Sequence, residues 1–545
     1  MEPEPKRGRA KFHARFASNS PVAMNTSANQ KMQSEVPKIR HHFFGEVARG
    51  TWLSTAVICL MIATSLALFW FPVRRIFANV EVNYNEGWNA YRAAMVASGI
   101  PLYGAPPQGF GTGTAYPPLS FHLIGLLGTA STFITIGRLV SLISLIGAGV
   151  FVSLIVRRAG GSRQTAFFSF LLYEIGIALL RPDRIGMNDP QLLGEALSVA
   201  GLYFYVRNPD SNRLLCVSAL LFCLAGFTKH NLIAFPAAVA IDLLFRSVKG
   251  FATWAGAMLL SAGLLTALTF LVDGRYFLLH LLGGGGGRTY SYWIAWSQFH
   301  HYVEKFQSML VIGTAWSIFT FRSRKVFALA FALSHALAIL LAGGFGVDLN
   351  IFFNAFGATV IACGIALSDI TFTPVGLRPA FLNSTAALMF AFFFISIMIF
   401  VPGQLRRDRE KTRVLPVHEN EFRSAVGFVK TRPGPALCES LLLCYEAGKP
   451  FEFEPFSVRD QIQTGRINED EVLQLLRTHH FQIVQIALRS DEEDLKEWVD
   501  LRASLSSDQK APDTERRFTP KFMKELLEDY QLSKRTSEMA IFCPK

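Results

Sequence analysis

Apolar runs of about 18 or more residues recur along this chain, among them stretches near 51–72, 138–156 and 214–245. In lipid every backbone N–H and C=O must find a partner inside the protein. Long apolar runs therefore become transmembrane helices. Composition agrees: 51% of the 545 residues are hydrophobic, only 17% are charged, and 48 are Phe, with a mean hydropathy of +0.30. The sequence predicts an α-helical multi-pass membrane protein. Its formal charge of +12 is read as basic residues kept on the cytoplasmic side, not as a nucleic-acid surface.

Charge placement sets the expected topology. Residues 1–48 carry Lys6, Arg7, Arg9, Lys11, Arg15, Lys31, Lys38 and Arg40 and are expected to be a flexible cytoplasmic tail. The first apolar run reads as an uncleaved signal anchor. Further basic clusters, Arg157–Arg158 with Arg163, Arg207 with Arg213, Arg246 with Lys249, and Arg322 to Lys325, mark the cytoplasmic returns. Residues 117–156 hold two runs, near 119–134 and 138–156, and two full crossings would put Arg157–Arg158 outside. A half-inserted first run gives about eleven crossings, within a range of ten to thirteen. The expected division is a tail (1–48), a membrane domain (49–401) with a large first outer loop (73–118), and an extracytoplasmic α/β domain (402–545).

That outer loop is long for a connection, and long loops are functional or disordered. Its aromatics (Tyr84, Trp88, Tyr91, Tyr103, Tyr116) and few charges argue for a folded site. Glu86, beside Asn85 and Tyr84, is the expected general base. A solvated loop acid is the plainer reading of a lone Glu. Gly87 would allow close backbone approach, and Glu81, earlier in the same loop, is expected to matter little.

Three other stretches carry charge where a membrane protein can ill spare it. RPDRIGMND (181–189) offers Arg181, Asp183 and Arg184, and arginine's planar fork suits a phosphate oxygen; interfacial snorkelling is the alternative. TKHN (228–231) places Lys229 and His230 inside an apolar run, a functional expectation by default, although a short outer turn would also explain it. GGGGGRTYSYWIAWSQFHHY (283–302) sets Arg288 beside five glycines, as a mobile lid or a linker. It lacks the GxxxxGK[ST] pattern of a nucleotide loop.

Four of seven cysteines sit in apolar runs, and no metal-ligand spacing is seen. Cys438, Cys444 and Cys543 in the tail leave a disulfide open. Strand patterns at 435–439 and 481–488, and amphipathic helices at 469–480 and 520–530, give the tail its α/β reading.

In this order, NEGWNAYRA, GIPLYG and YPPLSF in the first loop, Gly137–Arg138, RPD at 181–183, TKHN, and GPALCES with a closing Tyr530 and FCP in the tail resemble the GT-C superfamily of membrane glycosyltransferases. The chain is more narrowly similar to bacterial relatives of the protein O-mannosyltransferase and lipid A aminoarabinose transferase families. The resemblance implies transfer of a sugar from a polyprenyl-phosphate carrier to a glycan, lipid or protein acceptor hydroxyl at the outer face of the inner membrane, in cell-envelope glycan synthesis. Glu86 would be the base of an inverting reaction. Asn85, Tyr116, Arg181, Asp183, Arg184, Lys229, His230 and Arg288 would bind substrate. No cofactor is expected, with a divalent cation left open, since Asn85 stands where relatives often carry Asp. A polyprenyl-linked glycan flippase and a lipid-diphosphate glycan ligase are the competing classes.

Overall fold

The structure, a computed structural model, describes residues 53–105, 114, 116–283, 289–372, 379–488 and 517–545. The basic tail and Arg288 lie outside the described residues. The membrane part comprises α1 (Leu53–Arg75), α2 (Asn85–Ala97), α3 (Leu119–Leu127), α4 (Phe133–Arg158), α5 (Arg163–Leu180), α6 (Gln191–Arg207), α7 (Asn212–Gly226), α8 (Ala234–Arg246), α9 (Val248–Val272), α10 (Phe277–Gly283), α11 (Tyr292–Thr320), α12 (Lys325–Ala342), α13 (Phe353–Phe372) and α14 (Pro379–Met398). Among the described residues five helices are long and apolar enough to cross a membrane: α1, α4, α9, α12 and the helix through α13. The two runs at 117–156 become α3, nine residues long, and α4, with 26. At about 1.5 Å per residue α3 is too short to span a bilayer, whereas α4 is long enough.

The bundle is apolar outside and in. Only 6% of the most apolar stretch of α9 is covered, against 94% for the helix through α13. Leu259, Leu264 and Leu271 of α9 are exposed, as lipid-facing leucines should be. Helix α13 forms the centre, where Phe356 stacks on Tyr173 of α5 and meets Phe306 of α11. Gly176 makes that packing possible: a Cβ there would lie 1.9 Å from the Phe356 ring.

The compositional break near 402 falls inside a continuous helix, α15 (Val401–Lys430). Val401 belongs to the membrane core, while Phe422, Ala425 and Val429 belong to the core of the soluble domain. A thirty-residue helix thus joins the two parts without a flexible linker. The domain holds β1 (Ala436–Cys438), α16 (Leu441–Glu446), α17 (Pro455–Gln463), α18 (Glu469–Arg477), β2 (Ile483–Ala487), α19 (Pro520–Asp529), β3 (Tyr530–Arg535) and β4 (Met539–Pro544). The sheet order is β1-β2-β4-β3, with β1 and β2 parallel and the other neighbours antiparallel. The strands and helices expected from the sequence are present. Cys438 and Cys444 form a disulfide that closes β1 onto α16, chemistry that belongs to an oxidising compartment.

The first loop and this domain meet at Gly87. A Cβ on Gly87 would lie 2.2 Å from the Leu442 nitrogen and 2.3 Å from the Leu441 carbonyl carbon. Backbone cannot yield as a side-chain tip can. Overpacking typically costs about 1–3 kcal/mol, so Gly87→Ala should lower the unfolding temperature of the detergent-solubilised protein and speed proteolysis of the domain. Gly147→Ala, at a glycine with open space around it, should leave both unchanged.

Candidate functional site

The site is built around an ion pair between α2 and α4. Arg138 and Glu86 are both fully buried. Arg138 Nε–H donates to Glu86 Oε1 at 2.8 Å and its NH2 group donates to Oε2 at 2.6 Å. The remaining guanidinium hydrogens go to the carbonyls of Arg75, Ile76, Ala78 and Val80. Glu86 in turn accepts from the backbone N–H of Val82 at 2.9 Å and of Asn188 at 3.0 Å. The ion pair therefore ties the exit of α1, the start of the first loop and α2 to α4 through Arg138, and the 181–189 loop through Glu86. Gly137 lets this happen, because a Cβ there would fall 2.0 Å from Asn188 Oδ1. The sequence reading placed Glu86 at the membrane surface as a general base, with a solvated loop acid as the plainer alternative. The structure places it inside the protein, with two hydrogen bonds to each oxygen.

The 181–189 loop and the TKHN turn converge beside this pair. Arg75 NH2 donates to the carbonyls of Pro182, Asp183 and Ile185, which fixes the loop's shape. Arg184 pairs with Asp189 at 3.0 Å and with Asp348 at 2.9 Å, and Arg181 pairs with Asp183 at 2.9 Å and with Asp348. Burial pushes the Asp189 carboxyl up, but Lys229 and Arg184 outweigh it and hold it below the usual carboxylate range. Asp183 follows the same logic, with Arg184 and Arg181 overcoming burial. Each acid is thus a counter-charge to its neighbouring cations, which weakens it as a proton acceptor.

Lys229 lies in the connection between α7 and α8, as the short-turn reading supposed, and it is buried. Its Nζ sits 5.1 Å from the centre of the Tyr116 ring, a cation–π distance. Tyr116 is held from behind by Tyr103, whose hydroxyl donates to the Tyr116 carbonyl at 2.7 Å. His230 is exposed. The structure thus gathers Tyr116, Arg181, Asp183, Arg184 and Lys229 into one network, with Asn85 half-buried nearby at the start of α2.

Several participants were not foreseen. Asp348 bridges Arg181 and Arg184 from a loop more than 150 residues away. Lys305 of α11 donates to the Leu179 carbonyl at 2.6 Å, and its field includes two like charges, Arg407 and Arg181. Arg138 left a legible trace: an arginine a few residues into an apolar run is costly unless paired.

The soluble domain roofs the first loop. Glu81 accepts from the Leu442 N–H at 3.2 Å, and Arg517 lies 3.7 Å over the Tyr84 ring. Phe456 stacks on Phe345 and approaches Tyr84. Under this roof burial pushes the Glu81 carboxyl up to about 7, against the pull of the Leu442 N–H and Arg517. Glu81 is half-buried and keeps hydrogen-bonding capacity that Glu86 has spent. Among the described residues no three His, Cys, Asp or Glu side chains come together as a metal-ligand set.

No family model matches the sequence, and no curated protein does. The fold is another matter. The chain matches the ArnT of Cupriavidus metallidurans in a structure bound to undecaprenyl phosphate and in the apo state, with TM-scores of 0.50 and 0.51. Identity is 14% in both, over 90% of this chain and 98% of that one. The oligosaccharyltransferase of Archaeoglobus fulgidus aligns more loosely, with a TM-score of 0.46 and 12% identity over 80% of this chain and 69% of that one. The chain therefore has the fold of ArnT, in keeping with the α-helical multi-pass membrane architecture that the sequence predicts.

Losing one member of a buried ion pair leaves the other charge uncompensated, at a typical cost of about 3–5 kcal/mol. Glu86→Gln should accordingly cut folding stability, read as a large fall in unfolding temperature or in yield of folded protein. A base at an accessible surface would lose rate and keep stability.

Proposed function

We propose that this protein transfers a sugar from a polyprenyl-phosphate carrier to an acceptor hydroxyl at the extracytoplasmic face of the inner membrane. The observation that carries the reading is the Arg181–Arg184–Lys229 network within an ArnT-like fold; the ArnT of Cupriavidus metallidurans has been crystallised with undecaprenyl phosphate. Arginine and lysine at a bundle end suit a phosphate that gains charge as the sugar departs. Arg181 is the accessible member, 27% exposed, and Lys305 and Arg407 extend the positive field around it.

Orientation follows from charge. Arg158, Arg207, Arg246, Arg324 and Lys325 lie at the ends of α4, α6, α8 and α12, and the phosphate network lies at the opposite ends of α6 and α8. The positive-inside bias puts the first group in the cytoplasm. The first loop and the disulfide-bonded domain are then extracytoplasmic.

Glu86 acts in this scheme as a positioning residue. Its oxygens already accept four hydrogen bonds, so it shapes the loop while another group takes the acceptor's proton. We assign that step to Glu81, reversing the expectation that it matters little. A base works best with a pKa near the working pH, and Glu81 lies at about 7. Direct attack by the acceptor oxygen on the anomeric carbon would break the bond to the carrier phosphate, invert that centre and deliver the hydroxyl proton to Glu81. Arg288 and His230 remain proposed substrate contacts.

Two measurements test this. Donor binding to the purified protein should weaken in Arg181→Ala and Lys229→Ala by more than about tenfold, since charged hydrogen bonds are worth about 1.5–3 kcal/mol. Lys249→Ala at the opposite end should bind normally, and equal affinity in all three would remove the network from the donor site. Separately, turnover should rise with pH through about 7 as Glu81 deprotonates. In Glu81→Gln it should fall by about 10²–10⁴-fold and lose that pH step while donor binding persists.

A further inference from the structure

At the end of the bundle opposite the Arg181–Lys229 network, a cavity of about 530 Å³ opens where α4, α6 and α8 end and α12 begins. Five cations line it, Arg158, Arg246, Arg322, Arg324 and Lys325, against one acid, Asp242. A positive-inside bias explains basic residues in cytoplasmic loops but does not require that they converge on one concavity.

The neighbouring acids account for only part of this charge. Arg246 meets Asp210 at 3.5 Å and Arg324 meets Asp369 at 3.0 Å. Asp242 is buried and accepts a hydrogen bond from the Tyr205 hydroxyl. Arg158 donates from Nε to the Arg207 carbonyl at 2.9 Å. Five cations against Asp242, Asp210 and Asp369 leave a balance of +2. Among the described residues, no carboxylate forms an ion pair with Arg158, Arg322 or Lys325. Lys325 Nζ instead lies 4.3 Å over the Phe245 ring.

The wall of the cavity says which anion fits. Phe245 lines it and is also 73% exposed, and the adjacent Leu244 and Val248 are exposed as well. On a membrane helix such residues face acyl chains. An anion seated here would have its charged part among arginines and an apolar surface directly beside it. We propose that this cavity binds the phosphate headgroup of an anionic phospholipid, with Arg158, Arg322 and Lys325 taking the phosphate oxygens and the acyl chains lying along α8. Arginine donates to phosphate through its planar fork, and basic pockets between membrane helices hold anionic headgroups on the cytoplasmic side. The site is separate from the donor site and does not depend on the transferase reading.

The test is native mass spectrometry of the full chain in a zwitterionic detergent, titrated with phosphatidylglycerol, phosphatidylcholine or inorganic phosphate. One phosphatidylglycerol should remain bound, phosphatidylcholine should not, and rising salt should weaken the complex. Arg322→Ala with Lys325→Ala should lower its affinity by about twenty- to thirty-fold, the worth of two cations beside an anionic headgroup. Both residues are near the surface, so the thermal unfolding of this variant should match the parent's. The charge-keeping pair Arg322→Lys with Lys325→Arg should retain binding. Asp242→Asn should tighten binding, a gain that lost structural support would not produce. Arg213→Ala with Lys249→Ala, on the same face outside the cavity, should bind as the parent does. An equal loss in that control would reduce the effect to diffuse surface charge and overturn the site. Inorganic phosphate binding as tightly as the lipid would overturn the headgroup assignment.

Discussion

Everything at the loop end of this protein hangs on the Arg138–Glu86 pair. A bare charge inside a membrane protein is expensive, and here two are buried together with every hydrogen and lone pair engaged. Such a pair contributes little net stability compared with an apolar alternative, but breaking it is costly. Its consequence is geometric. Through the carbonyls of residues 75–80 and the N–H of Asn188, it sets where the first loop leaves the bundle and where the Arg181–Asp189 loop sits. Arg181, Arg184 and Lys229 are thereby held in one charge network with Asp183, Asp189 and Asp348.

The soluble domain is an integral part of that arrangement. Helix α15 runs without a break from the membrane core into it, the Cys438–Cys444 bridge fixes α16, and Gly87 lets α16 settle on α2. The same contact buries Glu81 and raises its affinity for a proton. A domain that shows no catalytic motif of its own can thus tune a residue of the membrane domain. In this account the first loop supplies the chemistry and the tail supplies its environment.

Much of this was legible in the sequence because membranes make charge conspicuous. RPDRIGMND and TKHN stood out as polar interruptions among apolar runs, and they prove to be neighbours in one network. The nine-residue α3 agrees with the half-inserted first run, one of the two readings that the placement of Arg157–Arg158 left open. What was hidden are partnerships between distant residues. Nothing local to Glu86 announces Arg138, 52 residues away, and nothing near Arg184 announces Asp348. Glu81 and Glu86 look alike on paper. They differ because one is enclosed by α4 and the other by α16, and enclosure is a property of the fold.

The most direct measurement is an experimental structure of the full chain in a lipid nanodisc with undecaprenyl phosphate. The phosphate is expected at the loop end of the bundle, within hydrogen-bonding distance of Arg181 or Lys229, with Glu86 still enclosed by Arg138. A phosphate found only at the opposite end, or a Glu86 freed from Arg138 and turned toward the bound carrier, would contradict this expectation.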